Sequence, residues 1–289
     1  MSYENYNFDN QKVYLSGQFL EGVQSTSTNF KYPEKEVLGA GYTTPVALSE
    51  EGEINGDFEI TRVITENDPL TGFFPNGIDG ALTYGERKAY VFETGIINRY
   101  SLNAEIGSIP TIETSLGIWG DVQTEFNYPD PPIEPTNIPI ISNGDIEVIL
   151  ENCAGGHPFN VSTDLIESLS FDIDIDWKPI TNLASIRPAG FIAVQPTVVV
   201  CDISFQVNEF KSPNFEQTVC APVLKNITIN IKDCTPNCAN PSRTLRSFIL
   251  EASQLVEYNQ ESSLDDVLIG HATFRSTLHS PSTLHKIFG

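Results

Sequence analysis

The sequence predicts a mainly β protein built as two tandem antiparallel β-sandwich domains, and three observations predict it. The first is alternation. From Ser168 to Trp177, Leu169, Phe171, Ile173, Ile175 and Trp177 interleave with Ser168, Ser170, Asp172, Asp174 and Asp176. Side chains along a strand point alternately to opposite faces, so one face here is apolar and the other carries carboxylates. Such a strand sits between a core and something wet. The second is punctuation: 19 Pro and 20 Gly, scattered along 289 residues, favour many short strands joined by turns. The third is repetition.

Shifting the chain by 145 positions sets Leu20 on Leu165, Ser25 on Ser170, and Gln24–Phe30 on Leu169–Ile175. The same shift sets Asp57–Ile60 (DFEI) on Asp202–Phe205 (DISF), and Leu82–Tyr84 (LTY) on Ile227–Ile229 (ITI). A further offset of 13 carries Ala89–Gly95 onto Ser247–Ser253, with Glu93 on Glu251 and Tyr100 on Tyr258. Identity is low, but three blocks sharing one offset are hard to obtain from alternation alone. A duplicated domain follows.

In chain order, residues 1–12 read as a polar N-terminal arm and 13–126 as the first sandwich. Within it, Val13–Tyr32 forms one or two strands, residues 33–52 a long loop that reaches a partner, and Ile54–Ile64 an alternating strand. The Asp68-Pro69 pair marks a turn or a short helix start. Strands follow at Ile78–Tyr84, Lys88–Glu93, Ile96–Ile106 and Ile112–Trp119, with a tight turn at Gly85-Glu86-Arg87. Residues 127–163 read as a Pro-rich linker, with Ile146–Leu150 a strand capping one of the domains. Residues 164–279 are the second sandwich and 280–289 a C-terminal arm. Leu245, Phe248, Ile249, Ala252, Leu255 and Val256 also satisfy helical spacing. The match of this stretch to Ala89–Tyr100 decides for strand.

Charge excludes several functions. There are 38 acidic and 16 basic residues, a net of −22, and both halves share it: 21 acids to 7 bases in 1–140, and 17 to 9 in 141–289. Such a chain repels nucleic acid and anionic membranes; an acidic surface also serves solubility. The N-terminal MSYENYNFDN has no apolar signal-peptide core, and no apolar run approaches the roughly 18 residues that span a bilayer. Synthesis in the cytosol with no membrane partner is expected. Five cysteines cannot all pair within one chain, which argues for reduced thiols.

No catalytic constellation stands out. Four histidines occur, three of them in the last nineteen residues, and none belongs to a nucleophile or phosphate-loop motif. Cys153 and His157 with Cys234 and Cys238 could supply four zinc ligands. Their three-residue spacers suit loops carrying small thiols better. Asp172, Asp174 and Asp176 lie about 7 Å apart along a flat strand and do not converge on a cation. No enzyme, no metal and no cofactor is predicted.

The segments Val13–Phe30 (VYLSGQFLEGVQSTSTNF) and Glu53–Gly72 (EINGDFEITRVITENDPLTG), with the GALTYG…YVFETG hairpin, resemble tail tube (major tail) proteins of long-tailed bacteriophages. The resemblance covers 13–122 and, through the repeat, 164–278. It implies a sandwich whose sheet joins those of neighbours around a β-barrel lumen, in rings that stack into a tube conducting the phage genome. A chain with two copies implies a homotrimeric, pseudo-hexameric ring. The implied partners are the chain itself, other tail proteins, and double-stranded DNA in transient passage. The implied location is the virion tail, assembled in the host cytoplasm. On that model Asp57, Glu59, Asp172, Asp174 and Asp176 are candidates to face the lumen. The alternatives are another virion component of the same fold (tail tip, collar or capsid surface), or a secreted two-domain binding module.

Overall fold

The architecture comes from a computed structural model, which describes residues 11–31, 34–37, 47–50, 55–65, 68–72, 77–84, 88–120, 122–123, 146–152, 159–161, 166–182, 185–194, 196–206, 225–233, 243–261 and 268–278. It is mainly β, and every strand pair is antiparallel. The first half holds β1 (Gln11–Leu15), β2 (Gln18–Phe19), β3 (Val23–Lys31), β4 (Glu34–Val37) and β5 (Ala47–Glu50). It continues with β6 (Asn55–Val63), β7 (Ile78–Tyr84), β8 (Lys88–Glu105), β9 (Thr111–Trp119) and β10 (Val122–Gln123). The second half holds β11 (Ile146–Asn152), β12 (Phe159–Val161), β13 (Ile166–Asp174), β14 (Trp177–Asn182) and β15 (Ser185–Ala193). After these come β16 (Thr197–Gln206), β17 (Lys225–Asp233), β18 (Arg243–Glu261) and β19 (Ile269–Leu278).

The alternation read from the sequence becomes burial. Along β6, Phe58 and Ile60 are buried while Glu59 is exposed; along β13, Leu169, Phe171 and Ile173 are buried while Asp174 is exposed. The β1–β2 hairpin turns on Ser16 and Gly17, both at positive φ (47° and 74°), the backbone a two-residue turn needs to match strand twist. Asp68 opens a short 3-10 turn over Pro69–Gly72 by accepting the Leu70 N–H at Oδ1, 2.9 Å.

The two halves share one wiring. In the first, β2–β1–β7–β8–β9–β6–β3 follow one another by pairing; in the second, β12–β11–β17–β18–β19–β16–β13 do. Each half also carries a separate hairpin between corresponding strands, β4–β5 and β14–β15. The irregularities coincide as well. The slip at Val23/Ser25 against β6 recurs at Ile166/Ser168 against β16. That at Ile78/Gly80 recurs at Lys225/Ile227, and that at Ile97/Arg99 at Leu255/Glu257. Bulges are positional features of a fold, so three shared ones are strong marks of common design.

These slips fix the alignment and adjust the sequence expectation. β3 and β6 lie 143 positions before β13 and β16, and β7 lies 147 before β17, where 145 was expected. Both differences are two residues. An even shift preserves which face is apolar, so the hydrophobic pattern does not detect it. Tyr100 does correspond to Tyr258, since each pairs with the matching residue of β9 or β19.

Four further differences are local. Part of the stretch expected as one long loop, 33–52, is the β4–β5 hairpin. The strands expected at Lys88–Glu93 and Ile96–Ile106 are one strand of 18 residues, because Gly95 stays paired on both sides of the bend, to Ile78 and Ile118. β11 and β12 fall inside the stretch read as linker and occupy in the second half the places of β1 and β2. The Ser168–Trp177 strand ends at Asp174, where the Ile175 N–H turns to the Asn98 carbonyl, 2.8 Å.

β8 and β18 each serve two sets of neighbours. The first part of β8 pairs with β7 and the last part with β9 and β13; likewise β18 pairs first with β17 and then with β19. Aromatic contacts tie strands that do not pair: Phe58 on Phe92 (5.9 Å between ring centroids) in one half, Phe171 on Phe248 (5.2 Å) in the other. One continuous apolar cluster runs through both halves.

Candidate assembly surface

The two halves meet edge to edge. The outer edge of β13 pairs with the last part of β8 in a seven-residue ladder from Ser168↔Glu105 to Asp174↔Arg99. Eight strands therefore run without interruption: β3–β6–β9–β8–β13–β16–β19–β18. Residues directly opposite across a ladder share a face, which lets the wet face of this sheet be read strand by strand. It carries Asp57, Glu59, Glu105, Glu113, Asp172, Asp174, Asp202, Glu257 and Glu261 against Lys31, Arg99 and Arg275.

Four of the five acidic residues singled out in the sequence thus lie on one face of one sheet. Asp57 is half-buried on β6 and Glu59 exposed beside it, accepting the Ser27 hydroxyl at 2.9 Å. Asp172 accepts Arg99 at 3.1 Å across the β8–β13 ladder, and Asp174 is exposed at the strand end. The fifth, Asp176, stands beyond β13; its carbonyl accepts the Val194 N–H at 2.9 Å. Cys153, His157, Cys234 and Cys238 lie outside the described residues. Among the described residues no cluster of three or more metal-ligating side chains occurs.

The sheet of a single chain does not close, so it has ends. β3 is bonded to β6 along one side, and among the described residues nothing pairs with the other. At the far end, Gln254–Glu261 of β18 pairs with β19 along one side in the same way. An unpaired strand edge is a template for another chain, and proteins usually blunt such edges with Pro or close-set charges. β3 is nine residues long, contains no Pro, and ends in a single Lys31.

A shallow depression of about 380 Å³ lies over the β8–β13–β16 part of this face, lined by Asn103, Glu105, Ser170, Asp202 and Ser204 among others. Ser204 hydrogen-bonds the Nδ1 of His271 at 2.8 Å. Small hydroxyls and acids line an open floor here. The buried thiol of Cys201 lies beneath the same sheet; burial pushes its pKa up, so it is protonated and inert.

One group of buried polar residues escaped the sequence reading. Arg62 (0% exposed) reaches from the apolar face of β6 to the Asp68 carboxylate, which also accepts the Tyr100 hydroxyl at 2.8 Å. Burial raises the Tyr100 pKa well above its usual value, and the nearby Asp68 charge adds to the rise. A signal for this site exists in the sequence: Arg62 falls in phase with the apolar Phe58 and Ile60. At the corresponding places the second half has Phe205 stacked on Tyr258, centroids 6.4 Å apart.

No family model matches the chain, and no curated protein sequence matches it. No helix among the described residues is long and apolar enough to cross a membrane.

Proposed function

We propose that this chain is a self-assembling structural protein of a phage virion, whose copies join by their sheet edges into rings that stack as the tail tube. One observation carries the reading: the junction between the halves, β8 to β13, is made inside the chain, and among the described residues the equivalent edges of β18 and β3 are open. A second copy supplies to each open edge what each half already supplies to the other. Contacts of this head-to-tail kind generate a ring when the rotation closes. Three chains of two halves each give a pseudo-sixfold ring in which neither end of the eight-strand sheet is left over.

The charge on the wet face supports the same reading. Nine acids against three bases would surround the hole, and within a Debye length of about 8 Å they repel DNA phosphate. A genome would pass without adhering. Asp57, Glu59, Asp172 and Asp174 take the lumen-facing role here, and the two hairpins β4–β5 and β14–β15 are available for ring-to-ring contact. No step of this function needs a cofactor or bond-making chemistry.

Negative-stain microscopy with sizing by light scattering tests it. Purified full-length protein is expected to form rings of three chains, and stacked tubes at higher concentration. Rings that never stack would move the assignment to a tip or collar component of the same fold. Persistent monomers would overturn it in favour of a binding module.

A further inference from the structure

We infer that the junction between chains pairs β18 with β3 in one defined register, Glu257 opposite Lys31, and that this ion pair selects the register. The inference rests on the ring reading above and goes beyond it by naming the residues that set the register.

The register comes from the junction that the chain already contains. Asp174 stands opposite Arg99, Ile173 opposite Tyr100 and Asp172 opposite Ser101. The shared slips map Asp174, Ile173 and Asp172 onto Lys31, Phe30 and Asn29 of β3. They map Arg99, Tyr100 and Ser101 onto Glu257, Tyr258 and Asn259 of β18. Carried over, Lys31 faces Glu257, Phe30 faces Tyr258 and Asn29 faces Asn259. An apolar aromatic pair then continues the covered face and an ion pair sits on the wet one.

The charges are inverted between the two junctions. Inside the chain the cation is on the β8 side, Arg99, and the anions Asp172 and Asp174 are on the β13 side. Between chains the anion is on the β18 side, Glu257, and the cation on the β3 side, Lys31. Among the described residues neither Lys31 nor Glu257 has an ion-pair partner; Glu257 accepts only the Asn259 amide at 2.6 Å. The β8 and β13 edges are already paired to each other inside the chain, so among the described residues β18 and β3 are the ends of the eight-strand sheet that a second copy can meet. A slip of two residues keeps both faces and would set Glu257 opposite Asn29, without the ion pair. The pair therefore favours this register over that slip.

The test compares Lys31→Glu, Glu257→Lys and the double variant with wild type, using light scattering and negative stain, with circular dichroism to verify folding. Each single reversal is expected to raise the concentration at which assembly begins by roughly tenfold. The double reversal is expected to recover most of that loss. Separately, Asn29→Cys with Asn259→Cys is expected to yield, on oxidation, covalent multimers that wild type does not form. If wild type assembles but both single reversals assemble equally well, or the cysteine pair fails to link assembled chains, the register is wrong and the ring reading survives. If wild type stays monomeric, both fall.

Discussion

Arg62 shows how a charged side chain is held on the apolar face of a strand. Its guanidinium is fully buried, and Asp68, fixed by the turn it opens, supplies the countercharge while also taking the Tyr100 hydroxyl. Removing one partner of a buried pair leaves the other charge without compensation, at about 3–5 kcal/mol. Arg62→Ala is therefore expected to lower urea-unfolding stability by about that amount. Glu59→Ala, three residues away on the exposed face, is expected to change it by less than about 0.5 kcal/mol. Tyr100 adds an alkaline limb. Its folded pKa lies above the ordinary 10.0, so its contribution is complete below that value and is lost as pH rises from there through the folded pKa. Tyr100→Phe is expected to lose about 1 kcal/mol at neutral pH with the hydroxyl's bond, and to flatten the alkaline fall in thermal stability.

At the scale of elements, the strand pairs of the second half that stand outside the eight-strand sheet carry their own polar support. Glu147 on β11 faces Asn230 on β17, accepting its amide at 3.0 Å, and pairs with Lys232 at 3.1 Å. The Asn230 bond is the main cause holding the Glu147 pKa below its usual 4.5, with Lys232 assisting against partial burial. A lowered carboxylate stabilises fully above the unfolded value and ceases to do so as pH falls through the folded one. The acid limb of stability below about pH 4.5 is expected to be shallower in Glu147→Gln, measured by thermal melts across pH. Strands of this kind were legible from alternation: Ile146, Val148 and Leu150 are buried, as their spacing predicts. The length of β8 was not. Gly95 reads as a stop between two strands, yet in the fold it is the bend, where a Cβ would lie 2.9 Å from the Phe92 ring. A glycine that ends a strand and one that turns it look alike in sequence.

For the whole molecule, the likeness of the two halves was legible because it lives in patterns with a period of two, and its numerical offset was not, for the same reason. The slips that fix it, such as Val23/Ser25 and Ile166/Ser168, are properties of paired backbones and leave no mark on single strands. The acidic face was legible only in pieces: the sequence marks Asp57 and Asp172 as outward, but only the β8–β13 ladder places them on one surface. That surface makes a prediction for assembly. On the proposed ring, the nine acids of this face would gather around one opening and repel each other across subunits, and added salt would screen that repulsion. Raising ionic strength from about 0.05 to 0.5 M is expected to favour rings, with the Debye length falling below about 5 Å. Light scattering at fixed protein concentration checks it, and assembly that weakens steadily with salt would show that the ion pairs at the edges outweigh the face.

β8 and β18 run as unbroken chain from the β7 and β17 ladders into the eight-strand sheet. A pull that tended to part the β7 and β17 ladders from the eight-strand sheet would consequently meet covalent backbone, and side-chain contact would not have to carry it alone.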